Sequence, residues 1–118
     1  MAGICNLRSV ICNLMSFSDA QKEVDSWLSR FEEGYWKPLS MLARITEEVG
    51  ELAREINHRF GEKPKKPGEA EAAIDEEIAD VVFVLLALAN SLEIDMDEAF
   101  AKVMNKYRTR DGERWTPK

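Results

Sequence analysis

An all-α fold, an antiparallel four-helix bundle, is what this chain predicts, and three observations predict it. Apolar residues recur at steps of three and four through most of the 118 residues. Ser, Asp, Pro and Gly stand where helices would begin and end. The segments left between them are short and polar, which favours neighbouring helices that run in opposite directions.

The first 14 residues, MAGICNLRSVICNL, carry Ile-Cys-Asn-Leu twice and lack the basic start and continuous apolar run of a secretory signal. Residues 1–17 therefore read as an irregular extension and 18–118 as one domain. Cys5 and Cys12 fit neither a redox pair nor a zinc pattern, and with no other Cys they read as free thiols in a reducing, cytoplasmic setting. Ser18 with Gln21 fits a capping box, and the stripe Ala20, Val24, Trp27, Leu28, Phe31 carries a first helix to about residue 32. Trp27, at helical spacing, is expected in the core. Gly34 stops the helix, and Tyr35-Trp36-Lys37 leads to Pro38, a residue suited to a first turn.

A second helix, about 39 to 60, aligns Leu39, Leu42, Ile45, Val49, Leu52, Ile56 and Phe60 in one stripe facing a core. Gly61 ends it. The loop GEKPKKPG then offers either a basic lid for phosphates or a plain solvated connection, and the second reading is favoured. The third helix, about 69 to 92, contains VVFVLLALA, nine apolar residues in a row, to be buried on most sides and too short to cross a bilayer. Asp95 with Glu98 opens a fourth helix, striped by Met96, Ala99, Phe100, Val103 and Tyr107 to about residue 108. Helices this short bury little area and the third is apolar nearly all round, so a homodimer or homotetramer is expected.

A net charge of −6 disfavours a nucleic-acid or anionic-membrane surface, because neutralising phosphates takes a basic face. Acidic residues are instead concentrated in two lanes. Glu48, Glu51 and Glu55 fall within about 60° of one another beside the stripe of the second helix. Glu77 and Asp80 share a lane with Ala73, Val84 and Ala87, a lane otherwise given to packing. Like charges at this spacing repel, and an unpaired buried carboxylate costs more still. A hard divalent cation, Mg²⁺ or Mn²⁺, resolves both conflicts with oxygen ligands. Ordinary ion pairs are the competing reading, since Arg44 and Arg54 stand within helical reach of Glu47, Glu48 and Glu51. Glu55-Ile56-Asn57-His58 is a Glu-x-x-His of the di-iron kind, but such sites use the pair twice and the chain has one His.

Glu47-Glu48-x-x-Glu51 followed, after a loop, by Glu77-x-x-Asp80 resembles the metal-binding signature of the all-α nucleoside triphosphate pyrophosphohydrolases, in a MazG-like form. The resemblance covers roughly residues 18–115, including ARITEEVGELAREINHRFGEKP, EEIADVVFVLLALANSL and KVMNKYRTRDGERW. It implies Glu48, Glu51, Glu77 and Asp80 as ligands of Mg²⁺, with Mn²⁺ a substitute, and Glu47 beside them, either orienting or deprotonating water or in a structural role behind the ligands. It implies Asn105, Lys106 and Arg110 at the phosphates or sugar. For the base, Trp36 beside Lys37 is the better-placed aromatic, ahead of Trp27 and Trp115. The reaction implied is release of pyrophosphate from a nucleoside triphosphate for nucleotide-pool house-cleaning, with no nucleic acid or membrane partner. A phosphoribosyl-nucleotide hydrolase and a non-catalytic nucleotide- or partner-binding module are the alternatives.

Overall fold

A computed structural model of the chain describes residues 15–118. The repeated Ile-Cys-Asn-Leu and both cysteines lie outside the described residues. Among the described residues there are four helices and no strand: α1 Phe17–Leu28, α2 Pro38–Phe60, α3 Ile74–Ser91 and α4 Met96–Arg110.

The capping box of α1 is set two residues earlier than Ser18. Ser16 is the N-cap: its hydroxyl accepts from the Asp19 N–H at 3.1 Å, and the Asp19 carboxylate accepts from the Ser16 N–H at 3.0 Å. Ser18 and Gln21 are engaged elsewhere. The Ser18 N–H donates to Asp97 at 3.2 Å, and the Gln21 amide donates to Asn90 and to the Ile94 carbonyl at 2.9 and 2.8 Å. The helix also stops at Leu28 rather than near residue 32. Beyond it the Tyr35 hydroxyl donates to Asp25 at 2.7 Å and accepts from Asn90 at 3.0 Å, which draws the connection back across α1 and α3. Gly34, at φ 52°, makes the turn that this requires.

Helix α2 begins at Pro38, whose missing N–H is no loss in a first turn. It ends at Gly61, where a β-carbon would stand 2.7 Å from the Asn57 carbonyl oxygen. Helix α3 starts at Ile74, later than the expected residue 69. The Glu69 carboxylate accepts the Lys66 N–H at 3.1 Å and the Lys65 ammonium donates to the Ala70 carbonyl at 2.6 Å, so this stretch is held as loop. Asp95 caps α4 as expected, accepting the N–H groups of Asp97 and Glu98.

Helices α2 and α3 form the main packed pair and run antiparallel, Met41 lying by Ala87 and Glu48 by Asp80. Helix α1 lies on α3, and α4 packs on the start of α1, where Phe17 and Phe100 meet with centroids 5.2 Å apart. The core is Val24, Met41, Val84, Leu86 and Ala87. Gln21 ties these elements together, since its side-chain Oε1 also accepts the Met96 N–H at 3.0 Å.

Three apolar expectations are corrected. The lane of α2 that meets the chain's own core is Met41, Ile45, Glu48, Leu52 and Glu55, and Leu39, Leu42, Val49, Ile56 and Phe60 are exposed. The run on α3 is buried on one side through Val84, Leu86, Ala87 and Ala89, leaving Val82, Phe83 and Leu85 exposed. Trp27 is half-exposed, edge-on to Phe31, rather than in the core. No helix among the described residues is long and apolar enough to cross a membrane.

Candidate functional site

The antiparallel pairing of α2 with α3 sets the two acidic lanes face to face. Carboxylate oxygens of Glu48, Glu51 and Glu77 lie within 4.8 Å of one another. Glu48 is almost wholly buried, at 3% exposure, and the Oε2 atom of Glu77 is enclosed with no hydrogen-bond partner. Burial, ahead of any neighbour, pushes the Glu48 carboxyl above its ordinary range; Arg44 pulls it back, and Glu51, Asp80 and Glu47 push it further up. Glu77 is raised by burial first and then by Glu51, Asp80, Glu48 and Glu55. This is a concentration of negative charge with too few partners. An orphaned buried oxygen and an all-carboxylate donor set fit a hard divalent ion.

Asp80 is exposed and stands outside this tight group, although it is near enough to raise both Glu48 and Glu77. It lines a cavity of about 510 Å³ that opens beside the acids. The walls are apolar, from Leu28, Phe31, Trp36, Met41, Phe83 and Ala87, and Glu33, Arg44, Glu48 and Asp80 supply the polar edge. That size and that balance of lining suit a small organic ligand with one charged end. Trp36 lines the same cavity as Glu48 and Asp80.

The other expected residues lie outside the tight group. The Glu47 carboxylate is mostly exposed and bonds Arg44 at 3.1 Å, so the structure does not bring it into the group as a base for water. Lys37 is the N-cap residue of α2 and does not line the cavity. Asn105, Lys106 and Arg110 ride on α4, which packs on α1 and not on the acidic face of α2. Within the chain Lys106 lies over the Tyr107 ring and Arg110 bonds Asp111 at 2.9 Å.

Two cations matter more than spacing suggested. Arg44 bonds Glu48 as well as Glu47, and because Glu48 is buried this is not a surface pair. Lys65 reaches from the 61–73 loop to the buried Glu55 at 3.0 Å. Its hydrogen bond is the main reason that the Glu55 carboxyl lies below its ordinary range. The basic loop is thus fastened to α2 at this point, neither free connection nor open lid. His58 turns its Nδ1 to the Lys63 carbonyl at 2.9 Å, so Glu55 and His58 both serve the loop and not a second metal. The i,i+4 spacing of Arg44 from Glu48 was a signal for the first pair; nothing local marks the second.

The model of the MazG nucleotide pyrophosphohydrolase domain matches residues 36–115. The chain belongs to the MazG nucleotide pyrophosphohydrolase family. Among relatives, YpjD of Bacillus subtilis (strain 168) is 57% identical over 103 residues, spanning 87% of this chain and 93% of that protein. The crystal structure of YpjD superposes with a TM-score of 0.71 at 56% identity, covering 79% of this chain and 95% of the other. A second crystal structure, of the Bacillus-conserved MazG protein, a nucleotide pyrophosphohydrolase, gives 0.69 at 49% identity, covering 79% and 90%. Mouse dCTP pyrophosphatase 1 is 32% identical over 81 residues, 66% of this chain and 48% of the mouse protein. The MazG-like protein is accordingly an all-helical pyrophosphohydrolase, and its carboxylate cluster lies within the family-matched region.

Proposed function

We propose that the chain hydrolyses nucleoside or deoxynucleoside triphosphates to the monophosphate and pyrophosphate, with Mg²⁺ or Mn²⁺, as a house-cleaning activity in the cytoplasm. The observation that carries this reading is the triad of carboxylates with one orphaned oxygen, a triad of which one member, Glu48, lines a cavity of about 510 Å³.

Glu48, Glu51 and Glu77 would hold the ion, with Asp80 joining from the cavity edge. The chemistry such an ion supplies when bound is neutralisation of phosphate charge and activation of water. Water attacks the α-phosphorus, the bond from that atom to the oxygen bridging to the β-phosphorus breaks, and pyrophosphate leaves with that oxygen. The apolar walls and Trp36 hold the base and keep bulk water from it. Glu47 keeps Arg44 beside the group. A homodimer or homotetramer fits the exposed stripe of α2, and in it α4 of a second copy would bring Asn105, Lys106 and Arg110 to the phosphates, with Lys37 near the same rim.

The test is product identity. The purified chain is incubated with Mg²⁺ and a panel of canonical and modified triphosphates, dCTP among them because of the mouse relative's name. Monophosphate and pyrophosphate in equal amounts are expected; orthophosphate as the first product overturns the reaction proposed.

A further inference from the structure

The acidic lane has cations at its two ends and none between. Lys65 holds Glu55 on the loop side, and Arg44 holds Glu48 and Glu47 on the other. Among the described residues, Glu51 and Glu77 have no cation at ion-pair distance. The two end pairs differ in kind. Lys65 is largely covered and also donates to the Ala70 carbonyl, so it is part of the frame. Arg44 is 43% exposed, bonds Glu47 and Glu48 alone among the described residues, and lines the cavity beside the acids. Leaving Glu48 would break no other hydrogen bond or ion pair among the described residues except where the bond to Glu47 must turn with it.

A guanidinium and a dication cannot both sit at one oxygen of Glu48, because each would repel the other across a few ångströms. We propose that Arg44 is a resident counter-ion at Glu48 that a divalent ion displaces on entering the group, and that Arg44 then turns to the phosphate chain of the nucleotide. The inference rests on the metal reading above. Before loading, Arg44 offsets part of the charge that the buried carboxylate would otherwise carry alone. On loading, Glu47 keeps it tethered at 3.1 Å on the outer side, and the freed edge of its planar fork matches a phosphate in shape and charge. One side chain would then serve the empty site and the substrate in turn.

The experiment uses the full chain and Mn²⁺ alone, with free Mn²⁺ counted by electron paramagnetic resonance. Arg44→Met is expected to bind Mn²⁺ about tenfold more tightly than the wild type, the effect of removing one positive charge about 6 Å from a dication in a water-like dielectric. Arg44→Lys, which keeps the charge, should stay near the wild-type affinity. In turnover Arg44→Met should raise KM for the triphosphate by tenfold or more with a smaller loss in kcat, and Arg44→Lys should recover part of it. A folded Arg44→Met chain with equal or weaker Mn²⁺ affinity, where the wild type does bind Mn²⁺, overturns the counter-ion role alone. An unchanged KM overturns the transfer to phosphate. A wild type that takes up no Mn²⁺ overturns the metal reading, and this inference with it.

Discussion

Replacing Glu51 by Gln should have opposite effects on stability with and without a divalent ion. In the metal-free protein Glu51 lies with Glu48 in a group whose carboxylate oxygens are within 4.8 Å of one another. Two unit charges at that separation repel by about 1 kcal/mol in a water-like dielectric and about 3.5 kcal/mol at an effective dielectric of 20. Glu51 is exposed, so solvent screening selects the lower figure. Removing about 1 kcal/mol of repulsion should raise the melting temperature of Glu51→Gln in chelator by about 4–8 °C for a domain near 100 residues. With Mn²⁺ at about a hundred times its dissociation constant, the wild type gains about 2.7 kcal/mol. The variant, short of a charged ligand, should lose most of that gain and melt below the wild type. The assay is paired thermal unfolding at one protein concentration, in chelator and in Mn²⁺, with pyrophosphate release measured beside it. If Glu51→Gln melts below the wild type in chelator, or gains as much from Mn²⁺, the charge argument fails.

Three further outcomes are expected. Asp97 is held below its ordinary carboxyl value chiefly by the Ser18 hydroxyl, then by the backbone N–H groups of Ser18 and Phe17. Its contribution to stability is complete above the ordinary value of 3.8 and is lost as the pH falls through the lowered one; acid titration of unfolding should therefore be steeper in the wild type than in Asp97→Asn. Trp36→Ala should raise KM by about tenfold, the lower part of the range for losing one base-stacking partner, and Trp36→Phe should restore most of it; an unchanged KM in Trp36→Ala would place the base elsewhere. Ile56→Glu, on the exposed stripe of α2, should shift the chain toward monomer in light scattering after gel filtration, while a variant that keeps the wild-type mass removes this stripe from the interface.

Much of the frame was legible because its punctuation is covalent. Pro38 and Gly61 bound α2 whatever surrounds them, and the Asp95 side chain caps α4 from within its own turn. The facing of Glu48 and Glu51 with Glu77 had its signal too, with Glu48, Glu51 and Glu55 together beside one apolar stripe and Glu77 with Asp80 in a lane otherwise given to packing. Boundaries set by distant partners were not. The sequence 69–73 is rich in Ala and Glu and reads as helix, yet Lys65 and Lys66 bind it as loop. Ser18 and Gln21 read as a local cap, yet their groups are claimed by Asp97, Asn90 and Ile94, some seventy to eighty positions away. Periodicity likewise located the stripe on α2 without saying what lies opposite it, and the chain's own core turned out to meet the neighbouring lane. The cation on Glu55 had no local mark, because a loop lysine can reach almost any acid.

The reach of Asp97 onto the first turn of α1 makes the carboxyl-terminal helix a structural part of the amino-terminal one. A protease that clipped the chain before Met96 would therefore unseat α1 from its beginning. The slackening would run down that helix to Leu28 and Phe31, which form one bank of the cavity beside the acids. An injury at one extremity would be felt as a blunted grip on the ligand, with Glu48, Glu51, Glu77 and Asp80 all still in the chain.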